Sequence, residues 1–186
     1  MSKASDKVLG GLLVALIAIA VVGGLIDAVR GARDGDAAGL LPTGAVAPTF
    51  SAVLHADGKV IHSSDLAGKV VVLDFWGTWC PHCVNEAPTI TEVAQKYAAS
   101  GVVVLALDEA YEGGPEPKAE VAQFLKSNAL DGYPVAYPEG DVVSKFRVAA
   151  FPSLYVIGKD GKVSYRGAGE ISGRRLREAI DAALKS

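Results

Sequence analysis

The sequence has few of the side chains that bind metal ions: its 186 residues include two cysteines and three histidines. A structural zinc site needs about four ligands. Cys80, His82 and Cys83 supply three at most, and the other histidines, His55 and His62, lie in a predicted β-hairpin. We therefore expect no resident metal. Two neighbouring cysteines can still bind monovalent copper, which favours soft sulfur ligands.

Concentrated positive charge is also missing. The formal net charge is −3 at pH 7, and no stripe of basic residues runs along the chain. The short basic run Arg174, Arg175 and Arg177 lies on a predicted helix, where a solvated face explains it. Because nucleic-acid-binding domains carry a basic patch, we expect no nucleic-acid partner.

Charge of either sign is absent from one long stretch near the start of the chain. Residues 8–26 form an uncharged run of 19 residues, preceded by Lys3 and Lys7. As a helix this run is about 28 Å long, close to the ~30 Å hydrocarbon core of a bilayer. It predicts a single membrane anchor within residues 1–29. A cleaved signal peptide would have a shorter apolar region and a small-x-small cleavage site, which is not evident here.

The residues around the predicted anchor indicate how the rest of the chain is arranged. Positive charges lie on both sides of the run, so their distribution alone does not decide its orientation. The short leading segment favours a large C-terminal part outside the cytoplasm. Residues 30–47 are rich in Gly, Ala and Asp and predict a flexible linker. Residues 48–186 are predicted to form the folded domain.

Strand and helix patterns alternate along this domain. Residues 69–76 and 102–107 are nearly continuous apolar runs, typical of strands buried on both faces of a sheet. Apolar residues at helical spacing follow them, over 81–99 and 118–127. This order predicts an α/β domain with right-handed crossovers.

Two hairpins and a last helix flank the alternating pattern. Residues 49–61 contain turn residues at their centre and predict a hairpin before the first buried strand. Residues 153–157 and 162–166 predict a second hairpin, joined by a Lys-Asp-Gly turn. Ser172 is a predicted N-cap for the final helix.

The two cysteines lie where a predicted buried strand gives way to a predicted helix. A disulfide that closes so short a loop restrains the unfolded chain little, so a purely structural role explains the spacing poorly. The start of a helix presents unpaired N–H groups and the positive end of the helix dipole, which both stabilise a thiolate. The pattern therefore predicts thiol–disulfide exchange, in which Cys80 attacks and Cys83 resolves the mixed disulfide.

A family resemblance supports this interpretation. The segment DFWGTWCPHC, residues 74–83, closely resembles the active-site segment of thioredoxins. Phe151-Pro152 matches the cis-proline with which that family docks the substrate backbone. The Ala-Pro-x-Phe opening at residues 47–50 and the anchor resemble the membrane-tethered TlpA/ResA-type branch. In that branch a glutamate follows the second cysteine by three positions, as Glu86 does.

The resemblance implies a thioredoxin fold, in which helices flank a central mixed sheet, with an N-terminal β-hairpin extension and a preceding transmembrane helix. It implies a thiol–disulfide oxidoreductase without a cofactor, which exchanges disulfides with extracytoplasmic proteins and depends on a membrane electron donor. Members of the branch commonly act as reductases, notably in cytochrome c assembly. The expected location is therefore a bacterial inner membrane, with the catalytic domain facing the periplasm or cell exterior.

Two features depart from that branch. Many of its members carry asparagine where this chain has Asp74, whereas thioredoxins themselves carry aspartate. The dipeptide Pro81-His82 resembles the oxidising DsbA proteins more than the reductants. An oxidase is therefore kept as a variant of the predicted function.

The residues around the cysteines have predicted roles in proton transfer and in setting the reduction potential of the disulfide. Burial should raise the pKa of Asp74, which suits proton transfer to or from Cys83. Glu86 can serve the same end, or it can be a solvated glutamate of the first helical turn. His82 should lie near the Cys80 sulfur, where positive charge stabilises the thiolate and makes the disulfide more oxidising.

Trp79, beside Cys80, is predicted to contribute to a partner-docking surface, together with Phe151 and Pro152. A copper-delivery protein that uses the same sulfurs is the non-enzymatic alternative. A peroxidase of the peroxiredoxin kind ranks last, because Asp74 occupies the region where that class carries a proline.

Overall fold

The computed structural model describes residues 39–110 and 113–186. Within these residues seven strands and four α-helices are formed. The strands are β1 Ser51–Leu54, β2 Val60–His62, β3 Val70–Trp76, β4 Val102–Asp108, β5 Val135–Pro138, β6 Ser153–Ile157 and β7 Val163–Ala168. The helices are α1 Pro81–Tyr97, α2 Lys118–Ser127, α3 Val142–Lys145 and α4 Gly173–Lys185.

The strands form one mixed sheet in the spatial order β2-β1-β5-β4-β3-β6-β7. The three central strands β5, β4 and β3 are parallel, because α1 and α2 carry the chain back between them. Both edges are antiparallel: β1 pairs with β2 and β5, and β6 pairs with β3 and β7. The N-terminal hairpin thus extends the sheet beyond β5.

Strand β3 lies at the centre and is buried along its whole length. Successive side chains of a strand point to opposite faces, so Val72, Asp74 and Trp76 share one face. Asp74 stands opposite Ala106 on β4 and Leu154 on β6. The polar residue of this apolar strand is therefore in the middle of the sheet.

Helix α1 packs on the face of the sheet that carries Asp74. Cys80 is its N-cap residue, and Pro81 takes the first helical position, where its fixed φ suits the helix and no N–H is needed. The helix continues through Pro88 to Tyr97. Its buried residues follow helical spacing along one face: Cys83, Glu86, Ala87, Ile90, Val93 and Tyr97.

Aromatic side chains fill the opposite face of the sheet. The ring centroid of Phe75 lies 5.6 Å from that of Phe146 and 6.2 Å from that of Tyr155. Phe50 packs edge-on against Phe146 at 6.2 Å. The Leu41 N–H donates a hydrogen bond of 2.9 Å to the Tyr155 hydroxyl, so residues ahead of the hairpin also pack here.

Residues ahead of the predicted boundary at Pro48 pack into the fold. Leu40 and Leu41 are buried, and Val46 forms a backbone bridge just ahead of β7. The last residues of the predicted linker 30–47 therefore belong to the fold. Their small residues resemble a linker in composition, although their few apolar side chains are used in packing.

The predicted anchor, residues 8–26, lies outside the described residues. Within the part of the chain that the structure describes, no helix is long and apolar enough to cross a bilayer. The anchor stays a prediction.

The predicted α/β order is confirmed. The second helix has the predicted bounds, Lys118–Ser127. Ser172 caps α4 by accepting the Arg175 N–H. The strand predicted at 162–166 begins one residue later and ends two residues later, at Val163–Ala168.

Candidate active site

The two cysteines form a disulfide at the N-terminal end of α1. Their Cα atoms are 5.3 Å apart, within the usual range of ~4.4–6.8 Å. The Cys80 Sγ accepts the Cys83 N–H at 3.2 Å. This N–H and the helix dipole would also stabilise a Cys80 thiolate after reduction. Both cysteines are buried, with 3% of Cys80 and 1% of Cys83 exposed.

The side chain of Trp79 orders the loop that precedes Cys80. Its indole N–H donates to the Glu109 carbonyl at 2.8 Å. The ring lies so close to Gly77 that an added Cβ there would be 2.4 Å from Trp79 Nε1 and 2.5 Å from the Glu109 oxygen. Glycine is therefore required at position 77. Trp79 remains 38% exposed and offers an apolar surface beside the disulfide.

A carboxylate from the β4–α2 connection binds the same loop. Glu116 accepts the Thr78 N–H at 2.8 Å and the Thr78 hydroxyl at 2.5 Å. The Glu116 N–H in turn donates to Asp108 Oδ2 at 2.7 Å, at the end of β4. Burial raises the pKa of Asp108 to about 7, and the hydrogen bond from the Glu116 N–H partly opposes that shift. These contacts fix the loop before Cys80 to the ends of the central strands.

Asp74 lies buried beneath α1, on the face of β3 that Trp76 shares. The Tyr133 hydroxyl donates to Asp74 Oδ2 at 2.7 Å, and the Tyr133 ring packs edge-on against Trp76, 4.8 Å between centroids. The other carboxyl oxygen, Oδ1, is buried and finds no hydrogen-bond partner among residues 39–110 and 113–186. Burial raises the pKa of Asp74 to about 7, and the Tyr133 hydrogen bond partly opposes that shift.

Glu86 lies on the same side of α1 as Cys83, three residues further on, and is buried. Its Oε1 accepts the Ile171 N–H at 3.1 Å, while Oε2 is buried without a partner in the described part of the chain. Burial, followed by the charge of Asp74, raises the pKa of Glu86 to about 8. Its interpretation as a solvated first-turn glutamate is therefore wrong.

The two acids have complementary properties for proton transfer. The charge of Asp74 disfavours the ionised form of Glu86, and burial raises the pKa of both carboxyl groups toward neutral pH. A group that is half protonated at the working pH can both accept and donate a proton. The pair is therefore suited to exchange a proton with the Cys83 thiol.

A cis peptide bond joins Phe151 and Pro152. The Phe151 ring meets Trp79 edge-on, with 5.3 Å between centroids. The Pro152 carbonyl accepts the Gly169 N–H at 2.9 Å. The structure thus brings the three predicted docking residues together beside Cys80.

His82 occupies the exposed outer side of the first turn of α1. Its Nδ1 lies 2.6 Å from Glu170 Oε1, in the β7–α4 connection. The contact found for the imidazole is thus with a carboxylate. Its proximity to the Cys80 sulfur stays a prediction.

A metal site is not formed by these residues. Within the described ranges, no three or more His, Cys, Asp or Glu side chains are grouped so that they could hold a metal ion. Copper binding by the two sulfurs would first require reduction of the disulfide.

Sequence reasoning missed several partners of the predicted residues. Tyr133, Glu116 and Glu170 lie 59, 38 and 88 residues away in sequence from the side chains they bind. No local pattern marks these positions, because long-range topology brings them to the site. The one available signal was the polar Asp74 in an apolar strand, which required a buried partner.

Comparison with solved structures supports the fold assignment. A thiol:disulfide interchange protein of the thioredoxin family from Chlorobium tepidum TLS superposes with a TM-score of 0.64 at 28% identity, covering 77% of this chain and 97% of that one. The exposed lipoprotein thioredoxin Etrx1 of Streptococcus pneumoniae strain TIGR4 gives a TM-score of 0.63 at 26% identity, covering 73% and 99%.

Sequence comparison leads to the same group of proteins. Residues 42–184 match the Redoxin family. The thiol-disulfide oxidoreductase ResA of Bacillus thuringiensis subsp. konkukian (strain 97-27) is 37% identical over 143 residues, which is 76% of each chain. ResA of Bacillus subtilis (strain 168) is 33% identical over 120 residues, or 64% of each. Because these matches span most of the folded residues, the chain belongs to the Redoxin family as a thiol–disulfide oxidoreductase of ResA type with a thioredoxin-like fold.

Proposed function

We propose that this oxidoreductase is a membrane-anchored reductase that transfers electrons from its Cys80–Cys83 dithiol to disulfides of extracytoplasmic proteins. The observation that carries the proposal is the pair of buried acids: Asp74 on the sheet face that α1 covers, and Glu86 three residues after Cys83 on that helix. Negative charge near a sulfur disfavours its thiolate, and a less stable reduced form makes the dithiol a stronger reductant.

The first step uses Cys80. In the reduced protein, the Cys83 N–H and the dipole of α1 stabilise the Cys80 thiolate. This thiolate attacks one sulfur of the substrate disulfide, and the other substrate sulfur leaves as a thiolate that takes up a proton from solvent. The product is a mixed disulfide between Cys80 and the substrate.

The second step uses Cys83 and the buried acids. A carboxylate of Asp74 or Glu86 accepts the Cys83 thiol proton, and the Cys83 thiolate attacks the Cys80 sulfur. The second substrate sulfur leaves and is protonated. Two electrons have then passed to the substrate, and the protein holds the Cys80–Cys83 disulfide, the form found in the structure.

Substrate docking is assigned to the surface beside Cys80. The exposed Trp79 ring and the Phe151 ring form an apolar platform next to the cis-Pro152 backbone. An extended substrate segment can lie across this platform with its disulfide over Cys80. Proteins with one exposed disulfide in an extended segment are the substrate class that fits.

The proposed location rests on residues 8–26. Their uncharged run is long enough to span a bilayer, and the resemblance to the ResA branch favours a domain on the outer side. A membrane protein that supplies electrons would then regenerate the dithiol. Reduction of apocytochrome c disulfides is the specific role that the resemblance to the ResA branch suggests.

The reduction potential tests the direction of transfer. We expect equilibration of the full chain with a thiol–disulfide buffer to give a value at or below about −270 mV, together with reduction of insulin disulfides. A value near about −120 mV would identify an oxidant and contradict the proposal. Tight stoichiometric binding of monovalent copper without insulin reduction would instead indicate copper delivery.

The anchor needs a separate test. We expect the full chain to sediment with membranes and to resist extraction by alkaline carbonate, and externally added protease to remove the domain from spheroplasts. A chain that lacks residues 1–38 should be released in soluble form. Release of the full chain by carbonate would contradict the anchor without affecting the redox assignment.

The second candidate is an oxidase, which the position of His82 favours. The imidazole is part of the first turn of α1, next to the Cys80 N-cap, so a positive charge there would stabilise the thiolate. The reduced form would then be more stable and the disulfide more oxidising. The same potential measurement separates the two candidates.

A further inference from the structure

Glu170 makes two contacts with the first turns of α1. Its Oε1 lies 2.6 Å from Nδ1 of His82, and it accepts a hydrogen bond of 3.4 Å from the Asn85 side-chain amide. The hydrogen bond from His82, and then that from Asn85, lower the pKa of Glu170 below its ordinary value. Glu170 is therefore ionised at neutral pH and places a negative charge beside the Cys-Pro-His-Cys turn.

The segment that carries Glu170 is fixed on both sides by the redox site. The preceding Gly169 N–H donates to the carbonyl of cis-Pro152 at 2.9 Å. The following Ile171 N–H donates to the buried Glu86 at 3.1 Å. The Glu170 carboxylate is thus held against α1 by a backbone that the site itself positions.

A positive charge on the imidazole and the negative charge of Glu170 would have opposite effects on Cys80. A positive imidazole at the second position of α1 stabilises the Cys80 thiolate and so raises the reduction potential. A carboxylate in contact with the imidazole offsets that charge. The histidine that resembles an oxidase motif is therefore paired with a residue that opposes its effect.

We propose that Glu170 is a positioning residue that fixes the orientation of the His82 imidazole and offsets a positive charge on it, which keeps the Cys80–Cys83 couple reducing. This inference rests on the proposed reductase function, and it explains how a Pro-His dipeptide occurs in a reductase. The pair is partly exposed, 72% for the His82 side chain and 42% for that of Glu170, so its effect is modest and weakens at high salt.

Glu170 can also change the reduction potential through Glu86, and the experiment must separate this effect from the one through His82. The charge of Glu170 also contributes to the raised pKa of Glu86. A variant at Glu170 alone could therefore change the potential through Glu86. An effect of Glu170→Gln that acts through the imidazole requires His82, whereas an effect that acts through Glu86 does not.

The experiment is a double-mutant cycle on the full chain in mild detergent. The four proteins are the wild type, Glu170→Gln, His82→Asn and the double variant, and the readout is the equilibrium constant for reduction by glutathione. Glutamine keeps the acceptor oxygen and removes the charge. We expect Glu170→Gln to raise the constant about two- to five-fold, or about 10–20 mV, and to change it less than two-fold when His82 is already Asn.

Alkylation of Cys80 by iodoacetamide gives an independent readout, and we expect it to be faster in Glu170→Gln at neutral pH. Glu178→Gln is the matched control, since Glu178 is an exposed glutamate paired with Arg174 on α4, and its constant should equal that of the wild type. Three results would overturn the inference: no change in Glu170→Gln, a lowered constant, or an equal change in both His82 backgrounds.

The proposed function is judged by a different quantity in the same experiment. The absolute potential of the wild type decides between reductase and oxidase, whereas the inference about Glu170 depends only on differences between variants. A wild type that proves to be an oxidant, with the His82-dependent change intact, would overturn the direction of transfer and leave the pairing in place.

Discussion

Asp74 places a carboxyl group at the centre of an otherwise apolar sheet. A buried carboxyl is costly to ionise, and the Tyr133 hydroxyl is the donor that reduces this cost. The hydroxyl is itself buried, and its pKa is raised well above the ordinary value, first by burial and then by the charge of Asp74. Tyr133 therefore stays protonated and acts as a fixed hydrogen-bond donor, while Asp74 is the group that titrates.

This arrangement predicts a shift in the pH dependence of catalysis in Tyr133→Phe. Loss of the donor removes a contact that favours the ionised carboxyl, so the pKa of Asp74 rises further. Deprotonation of Cys83 by Asp74 then requires higher pH, and we expect the pH midpoint of insulin reduction to rise by about 0.5–1 unit. Asp74→Asn should weaken this pH dependence instead.

Tyr137→Phe is the control for that comparison. Tyr137 is also a buried tyrosine, but its hydroxyl contacts His55 Nδ1 at 2.5 Å instead of Asp74. Its removal should leave the midpoint unchanged. An unchanged midpoint in Tyr133→Phe would show that Asp74 does not act in the reaction.

The different positions of the two cysteines predict what their serine variants trap. In Cys83→Ser the N–H that stabilises the Cys80 thiolate remains, but the resolving thiol is gone. We expect stable mixed disulfides between Cys80 and substrate proteins on non-reducing gels. Cys80→Ser should trap far fewer, and the reverse result would exchange the two roles.

At the scale of elements, the site depends on the loop between β3 and α1 at residues 77–80. Two other connections bind it: the β4–α2 connection through Glu109 and Glu116, and the loop before β6 through Phe151. The docking surface therefore belongs to three elements, and its shape depends on how closely they approach. At Gly77 the backbone lies so close to the Trp79 ring and the Glu109 carbonyl that no Cβ fits.

Gly77→Ala should consequently disturb docking more than chemistry. The new methyl group would collide with a backbone carbonyl and the Trp79 indole, so the ring must leave its hydrogen bond to Glu109. We expect altered tryptophan fluorescence, a raised KM for a protein substrate with a smaller change in kcat, and a loss of about 1–3 kcal/mol in stability.

Gly158→Ala controls for the general cost of adding a methyl group. The added Cβ there meets the flexible Asp160 side chain at 3.1 Å, in the β6–β7 turn. We expect an unchanged KM for this variant. If Gly77→Ala also has an unchanged KM, the placement of Trp79 is irrelevant to docking.

The helices and strands could be predicted from the sequence, whereas their arrangement in the sheet could not. The buried strands, the helix at Lys118–Ser127 and the Ser172 cap follow local patterns of apolar spacing and capping, so they were predicted. The position of β5 between β1 and β4 was not, because strand order depends on pairings distant in sequence. For the same reason Cys80 and Cys83 could be recognised from their motif, whereas Glu170 could not.

At the scale of the whole molecule, the described residues include four buried carboxyl groups, those of Asp74, Glu86, Asp108 and Glu116. Asp74, Glu86 and Asp108 all have pKa values raised by burial, to about 7, 8 and 7. In the unfolded chain these groups titrate near their ordinary values of about 4. Between about pH 4 and pH 8 the folded protein therefore binds more protons than the unfolded one.

This difference fixes the sign of the pH dependence of stability. The stabilising contribution of the protonated acids is fully present below their unfolded pKa values and is lost as the pH rises through the folded ones. We expect the free energy of unfolding of the oxidised protein, measured by urea titration, to fall by a few kcal/mol between pH 5 and pH 8, about 1–3 kcal/mol of it due to Asp74. Asp74→Asn should flatten the dependence by that amount, whereas Asp57→Asn, in the exposed β1–β2 turn, should not. A stability that instead rises over this interval would mean that the buried carboxyls are ionised in the folded protein, and the proton transfer assigned to them would lose its basis.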